Sequence, residues 1–362
     1  MKSYNEILSD VTKTATKIPQ SDYLDTGKYR IFDQGKEYSV GFSNDEQDVV
    51  SDYPYIIFGD HTRVVKYVNE PCFIGADGVK LLKVINKDFN PRFVYYNILA
   101  KPIENQGYAR HFKFLKEIQF TEKTLSVQTN IVTELDTIQS AIDNKKQQLS
   151  LLDEAVKSEF VEMFGTENDF SKWNCCFVED VADVTVGVVI KPTQYYCEKG
   201  IPAFRSLNIG EMKVNDSDWV YFTEEGNEKN RKSILKENDV LVVRSGAPGK
   251  SCVITKKYEG YNVVDAIIAH PNLEKVNPVF LCMFTNMPHG MNQIKAKTGG
   301  AAQQHFNVGG YNSLKIILPP LSLQNDFAAF VQQIDKSKFV VKQQIADLQE
   351  LLDSKMQKYF GE

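Results

Sequence analysis

"LSVQTNIVTELDTIQSAIDNKKQQLSLLDEAVKSEFVEMFGT", residues 125–166, lies over "LSLQNDFAAFVQQIDKSKFVVKQQIADLQELLDSKMQKYFGE", residues 321–362, at a constant offset of 196 and without a gap. Twelve of the 42 paired positions are identical, among them Gln128 with Gln324, Leu152 with Leu348 and Phe164 with Phe360. An internal repeat of this length governs how the rest of the chain is read. In the first copy Ile131, Leu135, Ile138, Ile142, Leu149, Leu152 and Val156 follow the four-and-three spacing of a single helix face. In the second copy Phe327, Val331, Ile334, Val341, Ile345, Leu348 and Leu352 do the same. Charged residues interrupt each seam, Lys145 and Glu159 in the first and Lys338 and Lys355 in the second. A stripe of this kind needs a partner helix to bury it. Gly165 and Gly361 stand where a glycine ends a helix. The two helices could be buried separately in two domains, but matching stripes of matching length favour their packing against each other.

The segments in front of the two helices are laid out alike. The first carries the strand "YPYIIFG", a polar turn "GDHTR", the strands "VVKYV" and "CFIGADGVKLLKV", and a helix beginning at Asn90-Pro91. The second carries "DVLVV", the turn "RSGAPGKS", "CVIT", "NVVDAIIAHP", and a helix beginning at Asn277-Pro278. Proline suits a helix start, because the first turn leaves its N–H positions unpaired in any case. Each segment then closes through a His-Phe pair and a terminal strand. The order predicts an α+β protein with an internal repeat: two mixed α/β globular domains separated by two long helices packed against each other as a coiled coil. The boundaries fall at 1–123 and 167–323 for the globular domains and at 124–166 and 324–362 for the helices.

Composition narrows the class. With 42% hydrophobic and 25% charged residues, the 362-residue chain is an ordinary globular protein of two or three domains. Its longest purely apolar run, "VFLCMF" at 279–284, is far too short to span a bilayer. The start "MKSYNEILSD" lacks the apolar stretch of a signal peptide, so the chain is expected in the cytoplasm and off the membrane. Six cysteines without C-x-x-C spacing or nearby paired histidines predict reduced, packed thiols and no metal site. Net charge is −5, with Lys plus Arg matching Asp plus Glu at 16 each over residues 1–120 and 17 each over 167–320. Neither globular segment is therefore a basic nucleic-acid sponge, and any phosphate contact must come from a local patch or a partner.

One stretch nearly spells a nucleotide site. "DVLVVRSGAPGKSCVI", residues 239–254, places Arg244 where a P-loop needs its first glycine. The segment after Lys250 and Ser251 alternates like a strand, whereas phosphates need a helix N-terminus there. A turn is predicted instead. With no glycine-rich cofactor loop, amino-methyltransferase motif or nucleophile elbow, the chain itself is read as non-catalytic.

The run "KENDVLVVRSGAPGKS", the stretch "GGAAQQHFNVGGYNSLKIILPPLSLQ", and in the first half "YPYIIFGDHTRVVKYV", "FIGADGVKLLKV" and "GYARHFKFLKEI" resemble the specificity subunit of type I restriction–modification systems. The first repeat departs in one place, having "QFTEKTLSVQ" where the second has a Pro-Pro junction. The resemblance implies two target-recognition domains, each reading half of a split double-stranded DNA sequence. It implies spacer helices that pair as an antiparallel coiled coil, which relates the two halves by a pseudo-twofold axis, and that dock methyltransferase subunits, two of them, and up to two restriction–translocase subunits. S-adenosylmethionine, ATP and Mg are implied on those partners and no cofactor on this chain. In such a reader Arg244, Ser245 and Lys250 in the small-residue turn are candidates for base or phosphate contact, Arg being able to bond guanine bidentately. Asp60, His61, Thr62 and Arg63 form the counterpart turn. Arg110, His111, Arg205, Gln303, Gln304 and His305 complete the candidates, glutamine amides being suited to adenine; His61 and His111 equally suit structural roles. A non-catalytic scaffold that binds proteins or glycans is the competing reading.

Overall fold

The computed structural model describes residues 1–75, 78–107, 109–298 and 305–361. It divides into two compact units: Met1–Gln147 with Lys342–Glu362, and Gln148–Val341. This partition differs from the sequence boundaries, because each long helix is shared between units along its length.

Unit 1 begins with α1 (Tyr4–Ile7) and β1 (Leu8–Asp10), followed by β2 (Tyr29–Phe32) and β3 (Gly41–Ser43). Then come β4 (Tyr55–Gly59), β5 (Val65–Val68), β6 (Cys72–Ile74) and β7 (Val79–Val84), and finally α2 (Pro91–Leu99) and α3 (Phe112–Leu115). One antiparallel sheet has the order β1-β7-β4-β5, and a second has the order β3-β2-β6 with β2 and β6 parallel. The run "CFIGADGVKLLKV" is thus two strands in two sheets. The terminal strand expected after His111-Phe112 is reduced to a single bridge, Phe120 to Lys2. β4 is buried at every residue, which a strand achieves only when both faces are covered. Ile56 and Phe58 pack with Phe93 and Val94 of α2, while Tyr55 and Ile57 pack with Phe32 and Ile74 of the second sheet.

Unit 2 repeats the plan. Its elements are α4 (Leu125–Phe164, its later part), β8 (Cys175–Phe177), β9 (Ala182–Val186), β10 (Tyr196–Cys197), β11 (Ile201–Phe204), β12 (Ile209–Gly210), β13 (Lys213–Val214) and β14 (Val220–Phe222). They continue with α5 (Glu224–Lys229), β15 (Val240–Val243), β16 (Ser251–Val253), β17 (Asn262–Val263), β18 (Ala266–Pro271) and α6 (Pro278–Asn286). Last are α7 (Pro288–Thr298), α8 (Val308–Asn312), β19 (Lys315–Ile317) and the early part of α9 (Leu321–Phe360). The sheet β16-β15-β18-β9 matches β5-β4-β7-β1 strand for strand. In the second sheet β11 lies antiparallel to β14 and parallel to β17, as β2 lies to β3 and β6. Val240 and Val242 face the helices, and Leu241 and Val243 face Phe204 and Val263. The duplication therefore extends through both globular parts, where sequence identity no longer records it.

Two buried glutamines explain one identity in the repeat. In unit 1 the Gln128 Oε1 accepts from Asn90 N at 2.8 Å, and its Nε2 donates to Asp88 O and Lys123 O, both at 2.8 Å. In unit 2 Gln324 Oε1 accepts from Asn277 N at 2.8 Å and its Nε2 donates to Pro319 O at 2.8 Å. Asn90 and Asn277 in turn cap α2 and α6 through their side chains. A glutamine in the first turns of each long helix thus fastens the Asn-Pro helix to it.

The seams pack within each unit. In unit 1 Ile131, Leu135, Ile138 and Ile142 share a core with Ile345, Leu348, Leu352 and Phe360. In unit 2 Val156, Phe160 and Phe164 share one with Phe327, Val331 and Ile334. There Asp153 meets Lys338 at 2.5 Å while Phe160 meets Phe327, so these stretches run antiparallel. The two charged breaks of the second helix are paired: Lys338 reaches Asp153, and Lys355 reaches Glu134, each at 2.5 Å. Lys and Glu at such positions bury their stems and pair their charges across the helix boundary. Gly165 closes α4 with φ +84° and its N–H on Val161 O.

Candidate nucleic-acid interface

In each unit the candidate turn leaves the end of the fully buried central strand. In unit 1 the β4–β5 hairpin is closed by Gly59 N to Val64 O and Arg63 N to Gly59 O, both 2.8 Å, with Arg63 at φ +64°. Asp60 turns inward and is 4% exposed. Its Oδ1 accepts from Phe112 N at 2.8 Å, and its carbonyl accepts from His111 N at 2.8 Å. His111 is fully buried; its Nε2 accepts from Gln106 N at 3.3 Å, which assigns the proton to Nδ1, 3.1 Å from Asp60 O. Asp60 and His111 therefore fasten the turn to the segment before α3 and turn no polar edge to solvent. Arg63 is half-buried with Nη1 on Ile103 O at 3.0 Å. His61, Thr62 and Arg110 are exposed. Gln34 organises the first two, taking His61 N on its Oε1 at 3.2 Å and Thr62 Oγ1 on its carbonyl at 2.5 Å.

In unit 2 the segment after Lys250 is the strand β16, so the P-loop geometry is absent there. The turn needs both glycines: Gly246 sits at φ +83°, and Gly249 at φ +97° against the Met291 side chain. Arg244 is only 16% exposed. Its Nη1 lies 3.1 Å from Asp265 Oδ1 and its Nε donates to Phe306 O at 3.2 Å. Ser245 Oγ donates to Asp265 Oδ2 at 3.2 Å and lies 2.8 Å from His305 Nδ1. Arg244, Ser245 and His305 are thus gathered around a single carboxylate. Lys250 is exposed on a groove of about 470 Å³ that it shares with Lys157, Glu211, Met291 and Lys295. Arg205 lies on the other sheet, paired with Asp218 at 3.0 Å. Gln303 and Gln304 fall outside the described residues.

The two turns are joined to the rest of their units in the same way. His111 N donates to Asp60 O at 2.8 Å and Phe306 N donates to Arg244 O at 2.9 Å, each from the His-Phe segment to the residue after the central strand. Sequence reasoning missed Gln34 and Asp265. Asp265 had a signal, being an acidic residue set in the apolar run "NVVDAIIAHP"; Gln34 had none.

Among the described residues there is no cluster of His, Cys, Asp and Glu able to hold a metal ion. No helix among them is long and apolar enough to cross a membrane. All six cysteines are free thiols, and burial pushes those of Cys72 and Cys282 up to about 12, which makes them unreactive.

The profile of the Type I restriction modification DNA specificity domain matches residues 171–350. No protein of curated function matches the chain. Among solved structures, the type I restriction–modification S subunit from M. genitalium superposes with a TM-score of 0.57 at 12% identity, covering 99% of this chain and 94% of that one. The HsdS subunit from Thermoanaerobacter tengcongensis aligns with a TM-score of 0.40 at 14% identity, covering 86% and 82%. A chain described for complex assembly and conformational transition of the type I R–M system aligns at 0.48 and 13%, covering 99% of both. The first likeness is one of fold, and it extends over the whole duplicated architecture. With the profile match over residues 171–350, the chain belongs to the type I restriction–modification DNA specificity family.

Proposed function

We propose that the two units each read one half of an asymmetric, bipartite DNA site, and that the paired helices set the spacing and dock methyltransferase subunits. The chain supplies recognition and no chemistry. S-adenosylmethionine, ATP and Mg belong to the methyltransferase subunits, two of them, and to restriction–translocase subunits, up to two. The observation that carries this reading is the repetition of one strand order in both units with unlike residues at the same place, Asp60 in one and Arg244 in the other. A shared frame suits a common ligand, the duplex, while differing side chains at the turn suit differing base sequences. His61, Thr62 and Arg110 in unit 1, and Arg244, Ser245, Lys250 and His305 in unit 2, are the side chains proposed to face DNA.

The test is co-expression with the neighbouring methyltransferase, followed by methylome sequencing. A split motif with two different specific parts is expected. An unsplit motif, or none, would favour a scaffold for proteins or glycans.

A further inference from the structure

Arg244 poses a problem for any reader of bases. A free arginine on a turn reaches phosphate and several base edges alike, and such contacts position a protein without specifying sequence. This arginine is restrained at two points. Asp265 Oδ1 takes Nη1 at 3.1 Å and Phe306 O takes Nε at 3.2 Å, so two of the five guanidinium N–H groups are committed and the guanidinium plane is fixed. Three N–H groups remain for a ligand.

Asp265 is built into place. Val243 pairs with Ala266 in the β15–β18 ladder, so Arg244 and Asp265 leave neighbouring strand ends opposite each other. Asp265 holds φ +49°, a left-handed conformation that few non-glycine residues adopt, and its N–H donates to Val188 O at 3.2 Å. Its second oxygen accepts the only proton of Ser245 at 3.2 Å. Ser245 must then accept from His305 Nδ1 at 2.8 Å, which leaves Nε2 as the imidazole nitrogen available to a ligand. One carboxylate therefore orients both an arginine donor set and a histidine.

We propose that Asp265 is a positioning residue for sequence recognition: it aims Arg244 at one guanine of the half-site read by unit 2. Guanine offers two acceptors, N7 and O6, to the remaining guanidinium donors. Without Asp265, Arg244 still reaches DNA but no longer prefers that base. This inference rests on the reading of the chain as a DNA specificity subunit.

The experiment uses the full complex with its methyltransferase and measures kcat/KM for the parent site and for every single-base-pair variant of it. Asp265→Asn keeps the size of the side chain and suits the left-handed backbone; with its Oδ1 still accepting from Ser245 it preserves the Ser245–His305 arrangement, while its amide NH2 opposes the Arg244 donor. Its discrimination is expected to fall about tenfold at one G·C position in one half-site and to stay unchanged elsewhere. Arg244→Ala should lose discrimination at that same position, and Asp265→Asn should add nothing in the Arg244→Ala background. Because Asn removes a negative charge near DNA, binding to all variants is expected to tighten alike, which leaves the ratios untouched. A uniform loss at all positions would show a folding role. Wild-type discrimination at every position would overturn the proposal while the split site stands. A wild-type complex with no split site would overturn the underlying reading, and this proposal with it.

Discussion

Gln324 offers the sharpest test of how the repeat is fastened. It is fully buried and makes two bonds, one from Asn277 N and one to Pro319 O, each 2.8 Å. Gln324→Leu keeps much of the volume and leaves one N–H and one C=O without partners. Each costs about 1–3 kcal/mol, so unit 2 should lose about 3 kcal/mol. Gln324→Glu separates the two bonds. Ionised, it still accepts from Asn277 N but sets a carboxylate oxygen against Pro319 O; protonated, it donates there and restores both. Its folded pKa is therefore raised above the ordinary value of about 4.3. As pH rises the unfolded carboxyl ionises first, so the deficit is absent below the unfolded pKa. Above it the deficit grows by about 1.4 kcal/mol per pH unit until the folded pKa is passed. Both tryptophans of the chain, Trp173 and Trp219, lie in unit 2, so denaturant unfolding followed by tryptophan fluorescence reads the affected unit. A Leu variant within about 0.5 kcal/mol of wild type, or a Glu variant equally impaired at about pH 4 and about pH 8, would refute the clamp.

Two further outcomes are expected. Removing one heptad within 131–156, together with the facing heptad of α9, shortens each helix by about 10 Å, or about three base pairs of duplex. The methylome should then show a gap shorter by about that number, and an unchanged gap with full activity would reject the helices as spacer. In unit 1 Lys355 and then Tyr359 hold the Glu134 carboxyl below its ordinary value of 4.5. A depressed folded pKa means that its stabilisation exists above 4.5 and fades as pH falls through the lower folded value. Glu134→Gln should therefore unfold at lower temperature than wild type at neutral pH and alike in strong acid; a gap that persists in acid would contradict this.

The parts of the fold legible in the sequence are those governed by local periodicity. The two long helices announce themselves because forty residues of four-and-three spacing have no other solution. The central strands "YPYIIFG" and "DVLVV" are legible as apolar runs bounded by polar turns, and Asn-Pro marks both short helices. The sheets were not legible, since the pairing of β11 with β17 joins residues about sixty apart, and no pattern in either strand names its partner. The seam list also missed Phe160 and Phe164, which continue from Val156 in successive four-residue steps outside the four-and-three register and are buried against both Phe327 of the facing helix and Phe280. At the candidate site, the sequence located the turns but not which side chains they expose. Asp60 and His111 are as polar as His61 and Arg110, and only the bonds from Phe112 N and Gln106 N decide that the first two turn inward.

The comparison of the two turns carries the argument about specificity further than either turn alone. Both follow a strand buried on both faces, and both are tied by a backbone N–H of the His-Phe segment. The backbone frame is thus constant. What changes is the use made of the first side chain: Asp60 spends its carboxylate capping Phe112 N, whereas Arg244 is held out along Asp265 with donors to spare. In unit 1 the polar groups left outside come from His61, Thr62 and Arg110, a different set at different places in the turn. Two copies of one scaffold therefore carry two unlike hydrogen-bonding surfaces, as the proposed reading of two different half-sites requires. Exchange of residues 60–63 and 244–250 between frames should move base preference with the turn only when the side chains that hold each turn, Gln34 in one and Asp265 with His305 in the other, are exchanged with it.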